Sequence, residues 1–299
     1  MSTFEEALAR LERFANYEIN RSVSYTPGVF DLARMIELLA RLGNPHQAYP
    51  TVHIAGSKGK GSTAAMTESV LRCAGYRTGL YTSPHLHSFG ERIQAAAAAI
   101  QAEEFAALVD ELIPHVGAVP GITWFELITA LAFLHFARRR VEIAVIEVGL
   151  GGRLDATNVI APLVSVITSL SYEHTAWLGN TLAQIAFEKA GIIKPHTPVV
   201  CAPQEAEALA VIERVAGERA APLLLVGRDW PYRVGPLRVD GQSFAAPWPA
   251  GPDARPAVQE WPAFDLPLLG RHQIVNAVCA LAAADQVGRR GFPITLPAA

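Results

Sequence analysis

The sequence predicts an α/β domain, a mostly parallel, doubly wound sheet flanked by helices. Three observations predict it. Short, almost wholly apolar runs alternate with helical stretches from Thr51 to Val226, the mark of parallel strands covered on both faces. The first run, Thr51-Val-His-Ile-Ala55, empties into Gly56-Ser-Lys-Gly-Lys-Gly-Ser62 and then a helix, the strand–turn–helix order of a P-loop-type sheet. Finally, 299 residues with 51% apolar and 18% charged side chains can bury one large core or two smaller ones, which excludes a disordered chain.

The elements follow in order. Residues 4–17 and 31–42 read as helices around a turn at Pro27 and Gly28, and Gly43-Asn44-Pro45 stops the second. After the strand and glycine-lysine turn, Met66, Val70, Leu71 and Ala74 share one helix face. Arg77 to Thr82 forms the next strand and runs into Ser83-Pro84-His85-Leu86, then a loop with Glu91-Arg92-Ile93. The alanine run from Ala95 to Ala99 has no pattern to read. Helices are predicted near 101–113 and 124–139, and strands at Glu142 to Val148 and Leu163 to Leu170. Thr181 and Gln184 form a capping box for a helix ending near Gly191. Pro198 to Cys201, a helix near 204–216 and Leu223 to Val226 complete the alternation.

Between 230 and 268 the character changes. Pro231, Pro236, Pro247, Pro249, Pro252, Pro256, Pro262 and Pro267 forbid long helices, so a β-rich sub-region of short edge strands is expected. Gly270-Arg271-His272-Gln273 opens a last helix with a stripe of Val275, Val278, Cys279 and Ala282, and a loose Pro-Ala-Ala ends the chain.

A net charge of −3 gives no global attraction to nucleic acid or an anionic membrane. Cys73, Cys201 and Cys279 are scattered, outside any C-x-x-C pair, as expected of reduced thiols in the cytoplasm. The acidic amphipathic start lacks the layout of a signal peptide, and the longest uncharged apolar helix falls short of a membrane span.

The glycine-lysine turn is suited to a polyphosphate. Glycines admit the anion's oxygens close to the backbone, N–H groups at the helix start point at it, and a lysine neutralises it. A hydroxyl such as Ser62 can ligate the Mg²⁺ that accompanies ATP. The spacing departs from G-x-x-x-x-G-K-[ST], since only Ser57 and Lys58 separate Gly56 from Gly59-Lys60. A glycine-rich surface turn with incidental lysines is the competing reading.

Ligands of open parallel sheets bind outside the carboxyl ends of the strands. There the second strand delivers Ser83 and His85, the strand ending at Val148 carries Glu147, and the strand ending near Leu170 delivers Glu173 and His174. A carboxylate such as Glu147 within an apolar strand is either ion-paired or metal-bound. His174 reads as a Mg²⁺ or Mn²⁺ ligand or a surface histidine, His85 as a site or packing residue, and no cluster has zinc spacing. Lys189, in a last helical turn, reads as a cation complementing the helix dipole.

The motifs His53-Ile-Ala-Gly-Ser-Lys-Gly-Lys-Gly-Ser62, Tyr81-Thr-Ser-Pro-His-Leu86, Glu91-Arg92-Ile93, Thr123-x-Phe-Glu126, Glu147-Val-Gly-Leu-Gly-Gly-Arg-Leu-Asp-Ala-Thr-Asn158, Glu188-Lys-Ala-Gly-Ile192 and Gly270-Arg-His-Gln-x-x-Asn276 stand in a known order. Together they resemble the bifunctional dihydrofolate synthase/folylpolyglutamate synthase family of the Mur ligase superfamily. The resemblance runs from about residue 20 to 285 and is most specific from Glu147 to Asn158.

The resemblance implies an ATP-dependent amide ligase that joins L-glutamate to dihydropteroate, to folate (poly)glutamates or to both, through an acyl phosphate. Gly56, Ser57, Lys58, Gly59, Lys60, Gly61 and Ser62 would hold ATP, with His272 and Asn276 beside the nucleotide. Ser62, Ser83, Glu147 and His174 would serve Mg²⁺ or Mn²⁺. Lys60, His174 and Lys189 would be catalytic, with Lys189 at the position of a carbamylated lysine, which displaces the helix-dipole reading. Thr123, Phe125 and Asp155 would border the pterin. The implied partners are small molecules, without nucleic acid or membrane, and the implied state is a cytoplasmic monomer.

Three features depart from the family: Ser57-Lys58 for Thr-Asn, Glu173 for Asp, and the alanine run for a polar, Gly-containing turn. Residues 1–299 are expected to be the ATP-binding domain, and the family's C-terminal glutamate-ligase domain with its D-G-A-H-N-type segment is not matched here. The expectation is therefore part of a longer enzyme that alone binds ATP and pteroate but ligates poorly. Competing functions are another Mur-type ligase, acting on a UDP-muramyl peptide, and a non-catalytic nucleotide-binding module.

Overall fold

A computed structural model describes residues 2–18, 30–248 and 261–294. Pro27, Gly28, Pro249, Pro252, Pro256 and the terminal Pro-Ala-Ala, all singled out from the sequence, lie outside those residues. Two capped helices come first, α1 (Phe4–Leu11) behind the Thr3/Glu6 capping box and α2 (Leu32–Arg41) behind Asp31. Helix α1 stops well short of the predicted residue 17 because a tertiary bond wins: Ala15 carbonyl accepts the Trp124 N–H at 3.0 Å.

The alternating series then appears as β1 (Thr51–Ala55), α3 (Lys60–Cys73), β2 (Thr78–Tyr81), β3 (Ile93–Ala95), β4 (Ala98–Ala99), α4 (Ala102–Val116), α5 (Trp124–Arg138) and β5 (Ile143–Glu147). It continues through β6 (Val164–Ile167), α6 (Thr175–Leu178), α7 (Leu182–Ala190), β7 (Val199–Cys201), α8 (Ala206–Glu218) and β8 (Leu223–Leu225). These strands form one sheet in the order β4-β3-β2-β5-β1-β6-β7-β8, parallel from β2 to β8. The alanine run supplies the antiparallel edge, with β3 pairing with β2 and β4 folding back onto β3. Its turn places Ala96 and Ala97 at φ 50° and 62°, a left-handed conformation that Asn-Gly would signal and alanine does not.

Beyond β8, β9 (Arg233–Leu237), β10 (Gln242–Ala245) and β11 (Ala263–Leu266) make the expected small β-rich region, a separate antiparallel sheet, before α9 (Arg271–Gly288). Strand alternation sorts the cores. Ala144 and Ile146 of β5 face α1, α2, α4 and α5, while Ile143 and Val145 face α3 and α9. Helix α5 is buried at every residue from Glu126 to Phe136, so it forms the base of the first core. Helices α7 and α8 cover β7 and β8 through Ala186, Val199 and Ile212. Among the described residues no helix is long and apolar enough to cross a membrane, and Cys73, Cys201 and Cys279 are free thiols.

Candidate active site

Strand β1 sits between β5 and β6, so the loops leaving these strands and β2 open at one rim. Gly59 caps α3 at φ 85°, and a Cβ there would overlap Asn276 Oδ1 of α9, so conformation and close approach both require glycine. The N–H groups of Ser57 and Lys58 donate to Ser169 carbonyl at 3.1 and 3.0 Å, and Ser57 Oγ donates to Ser171 carbonyl at 3.0 Å. These bonds tie the loop to the chain leaving β6. The donors free to face an anion are the first N–H groups of α3, which have no acceptor within the helix.

Two lysines converge on one backbone oxygen. Lys60 Nζ donates to Gly56 carbonyl at 3.0 Å, and buried Lys189 Nζ donates to the same oxygen at 2.8 Å and to Glu173 Oε1 at 2.7 Å. Burial pulls the Lys189 ammonium down to about 8 against the opposing pull of Glu173, and Lys60 lowers it further. Burial also raises Glu173, but the Lys189 and Lys60 cations outweigh it and hold the carboxyl below its usual range. Two ammonium groups repelling across one carbonyl favour an anion between them.

Glu147, the last residue of β5, is 4% exposed. Among the described residues its one hydrogen bond comes from the Ser83 N–H, 3.1 Å from Oε2. Burial pushes the carboxyl up to about 7, with Lys60 and the Ser83 N–H pulling it back. Gly61 sits beneath it, with the position of a Cβ 3.5 Å from Oε2, and Ser62 follows. A buried carboxylate poor in partners, at a rim that also carries Ser62 and Ser83, is a fitting donor for a hard divalent cation. Among the described residues no three His, Cys, Asp or Glu side chains group into a metal cage.

Beside this rim lies a cavity of about 350 Å³, lined by Tyr17, Phe30, Phe125, Trp177 and His174 among others. His174 starts α6 in a left-handed conformation at φ 45°, and its ring stacks on Trp177 with centroids 6.2 Å apart. Ser83, whose N–H bonds to Glu147, lines the same cavity as His174. Thr123 caps α5 in a box with Glu126, and Phe125 presses onto Gly149, where a Cβ would overlap its ring. The carboxylate of Asp155 is engaged from within: Oδ2 accepts the Leu150 N–H at 2.8 Å, and Oδ1 the N–H and hydroxyl of Thr157 at 3.0 and 2.5 Å. Burial raises its carboxyl despite these donors. His53 Nε2 meets the same Thr157 hydroxyl at 2.9 Å, and burial lowers its ring to about 3, so the imidazole is neutral.

Of the nucleotide candidates, Asn276 is buried against Gly59, while His272 is exposed and packs over Gly270. Sequence reasoning missed the Arg34–Glu126 ion pair at 3.2 Å and the Arg92–Glu18 pair at 2.8 Å. Arg34 and Glu126 are 92 residues apart, and Arg92 and Glu18 are 74 apart, so no local pattern signals either pair.

The profile of the Mur ligase middle domain matches residues 54–284. The chain belongs to the Mur ligase family. This Mur ligase chain is 48% identical over 197 residues to a dihydrofolate synthase/folylpolyglutamate synthase of Bacillus subtilis, which covers 64% of the chain and 46% of that protein. A folylpolyglutamate synthase of Lacticaseibacillus casei is 38% identical over 272 residues, covering 89% of the chain and 62% of the relative. The Mur ligase chain thus spans less than two thirds of either. A solved FPGS–AMPPCP–folate complex superposes with a TM-score of 0.87 at 32% identity, covering 98% of this chain and 69% of that one.

Proposed function

We propose that the chain is the ATP-binding part of a ligase that adds L-glutamate to dihydropteroate, to folate (poly)glutamates or to both. The observation that carries the reading is the convergence of Lys60, Lys189 and Glu147 beside the aromatic-lined cavity. Residues 1–299 are read as one ATP-binding domain, with 230–268 its β-rich sub-region.

In this reading an oxygen of the substrate carboxylate attacks the γ-phosphorus of ATP and ADP departs, leaving an acyl phosphate. The glutamate amine then attacks the acyl carbon, loses a proton, and phosphate leaves from the tetrahedral centre. Lys60 and the first N–H groups of α3 stabilise the phosphoryl oxygens. Ser62, Ser83, Glu147 and His174 would hold Mg²⁺ or Mn²⁺, which supplies charge neutralisation at those oxygens. Phe125, Thr123 and the loop fixed by Asp155 enclose the pterin, and Asn276 and His272 border the nucleotide.

Lys189 can carry a carbamate. Its amine, lowered to about 8, is partly neutral near physiological pH, and a neutral amine adds to CO₂ with loss of one proton. The product is an anionic oxygen donor in place of a cation. A monomeric, cytoplasmic enzyme without nucleic-acid or membrane partners completes the reading. Phosphate release by the full-length protein, with ATP, Mg²⁺, L-glutamate and each pterin offered in turn, tests it. Release that needs all four components is expected. Release driven by a UDP-muramyl peptide, or ATP binding without turnover, overturns it.

A further inference from the structure

Arg92 is 2% exposed, and its guanidinium bonds both to Glu18, which lines the cavity, and to His85, which follows the lining residues Ser83 and Pro84. Nη1 and Nη2 donate to Glu18 Oε1 and Oε2 at 2.9 and 2.8 Å, and Nε donates to His85 Nδ1 at 2.9 Å. The guanidinium also lies 5.0 Å from the centroid of the Trp124 ring. A bidentate, charge-assisted pair of this geometry is directional as well as strong.

The partners matter because of where they stand. Glu18 and its neighbour Tyr17 line the cavity from the N-terminal segment, and Ser83 and Pro84 line it from the loop that also holds His85. Trp124 lies between Thr123 and Phe125 at the start of α5. The loop from 83 to 92 is itself a closed unit. Arg92 carbonyl accepts the Thr82 N–H at 3.0 Å, and the Glu91 carboxylate accepts N–H groups from Leu86, His87 and Ser88. At its other end the Ser83 N–H fixes Glu147. The N-terminal segment, by contrast, has left helix α1; beside the packing of Phe14 on the core and of Tyr17 on Phe30, the bond from Trp124 N–H to Ala15 carbonyl and the Arg92–Glu18 pair fix it among the described residues.

We propose that Arg92 is a positioning residue: by gripping Glu18 and His85 at once, it holds residues 15–18 and the 83–92 loop together as one preformed wall of the substrate cavity. The proposal rests on reading that cavity as the pterin site. A preformed wall spares the substrate the ordering of a loose segment, so loss of the grip weakens pterin binding and leaves nucleotide binding intact.

The test compares Glu18→Gln with wild type and with Glu12→Gln, an exposed neighbour outside the cavity, all as full-length protein. Glu18→Gln is the primary variant because it removes the charge from the more exposed partner and leaves Arg92 in the core. Three quantities are read: hydrogen exchange at the Trp124 amide, which reports docking of Ala15, the KM for pterin and the KM for ATP. Expected are a rise in Trp124 exchange and in pterin KM of about tenfold each, with ATP KM and the Glu12→Gln control unchanged. Unchanged exchange, or faster exchange with an unchanged pterin KM, overturns the proposal. Absence of pterin turnover in the wild type marks failure of the functional reading instead and overturns the substrate half of the proposal. Trp124 exchange then decides the grip by itself.

Discussion

At the scale of single residues, Lys189 shows how far chemistry depends on surroundings. On the helix surface it would complement the macrodipole; buried beside Glu173 and Lys60 it becomes a lysine with a lowered pKa. Lys189→Ala is expected to reduce glutamate-dependent phosphate release by about a hundredfold, on the scale of a lost transition-state donor. Calorimetry should show MgATP binding within a few-fold of wild type, and undiminished turnover would remove Lys189 from the mechanism. Glu147→Gln should lower turnover by about a hundredfold or more, because an amide cannot supply the anionic ligand. Titration of ATP-dependent activity with Mg²⁺ checks this, since extra metal should not restore the variant. Glu147 was legible as a misfit in an apolar strand, and the structure answers the misfit with the Ser83 N–H rather than an arginine salt bridge.

At the scale of elements, helix starts carry the site. Thr123 accepts the Glu126 N–H at 3.2 Å, and Glu126 Oε2 accepts the Thr123 N–H at 2.7 Å, so α5 begins at a fixed point on the cavity wall. Thr123→Ala is expected to destabilise the protein by about 1 kcal/mol, measured by urea unfolding. Gly149→Ala drives a methyl into the Phe125 ring and should lower stability by about 1–3 kcal/mol while raising pterin KM more than ATP KM. The Thr181/Gln184 capping box was readable from spacing and is present. The β3–β4 hairpin was not, because five alanines offer neither alternation nor a turn residue; pairing with β2 selects the strand.

At the scale of the whole molecule, buried titratable groups set the alkaline stability profile. Burial pulls Lys189 and Lys194 from 10.5 to about 8, so above pH 8 the unfolded chain binds more protons and stability rises with pH. Burial raises Cys201 from 9.0 to about 12, and Cys279, Tyr49 and Tyr81 upward as well, so the native state retains protons that the unfolded chain loses and stability falls. The expected outcome is a maximum near pH 9 in urea unfolding free energy, moved upward by Cys201→Ala and flattened on its acid side by Lys194→Met. A profile falling steadily from pH 7 would contradict the lysine assignments.

The sequence by itself determined the alternating parallel sheet, the glycine-lysine loop after its first strand, and the family. Each rests on local pattern, whether periodicity, glycine spacing or motif order, that the chain carries before it folds. Tertiary structure alone decided that Lys60 and Lys189 share the Gly56 carbonyl, that Asp155 spends its oxygens on its own loop, and that Arg92 grips Glu18. These pairings join residues far apart in the chain or depend on burial. Both are properties of the packed molecule, where removal of water makes each charge seek a partner that no local pattern specifies.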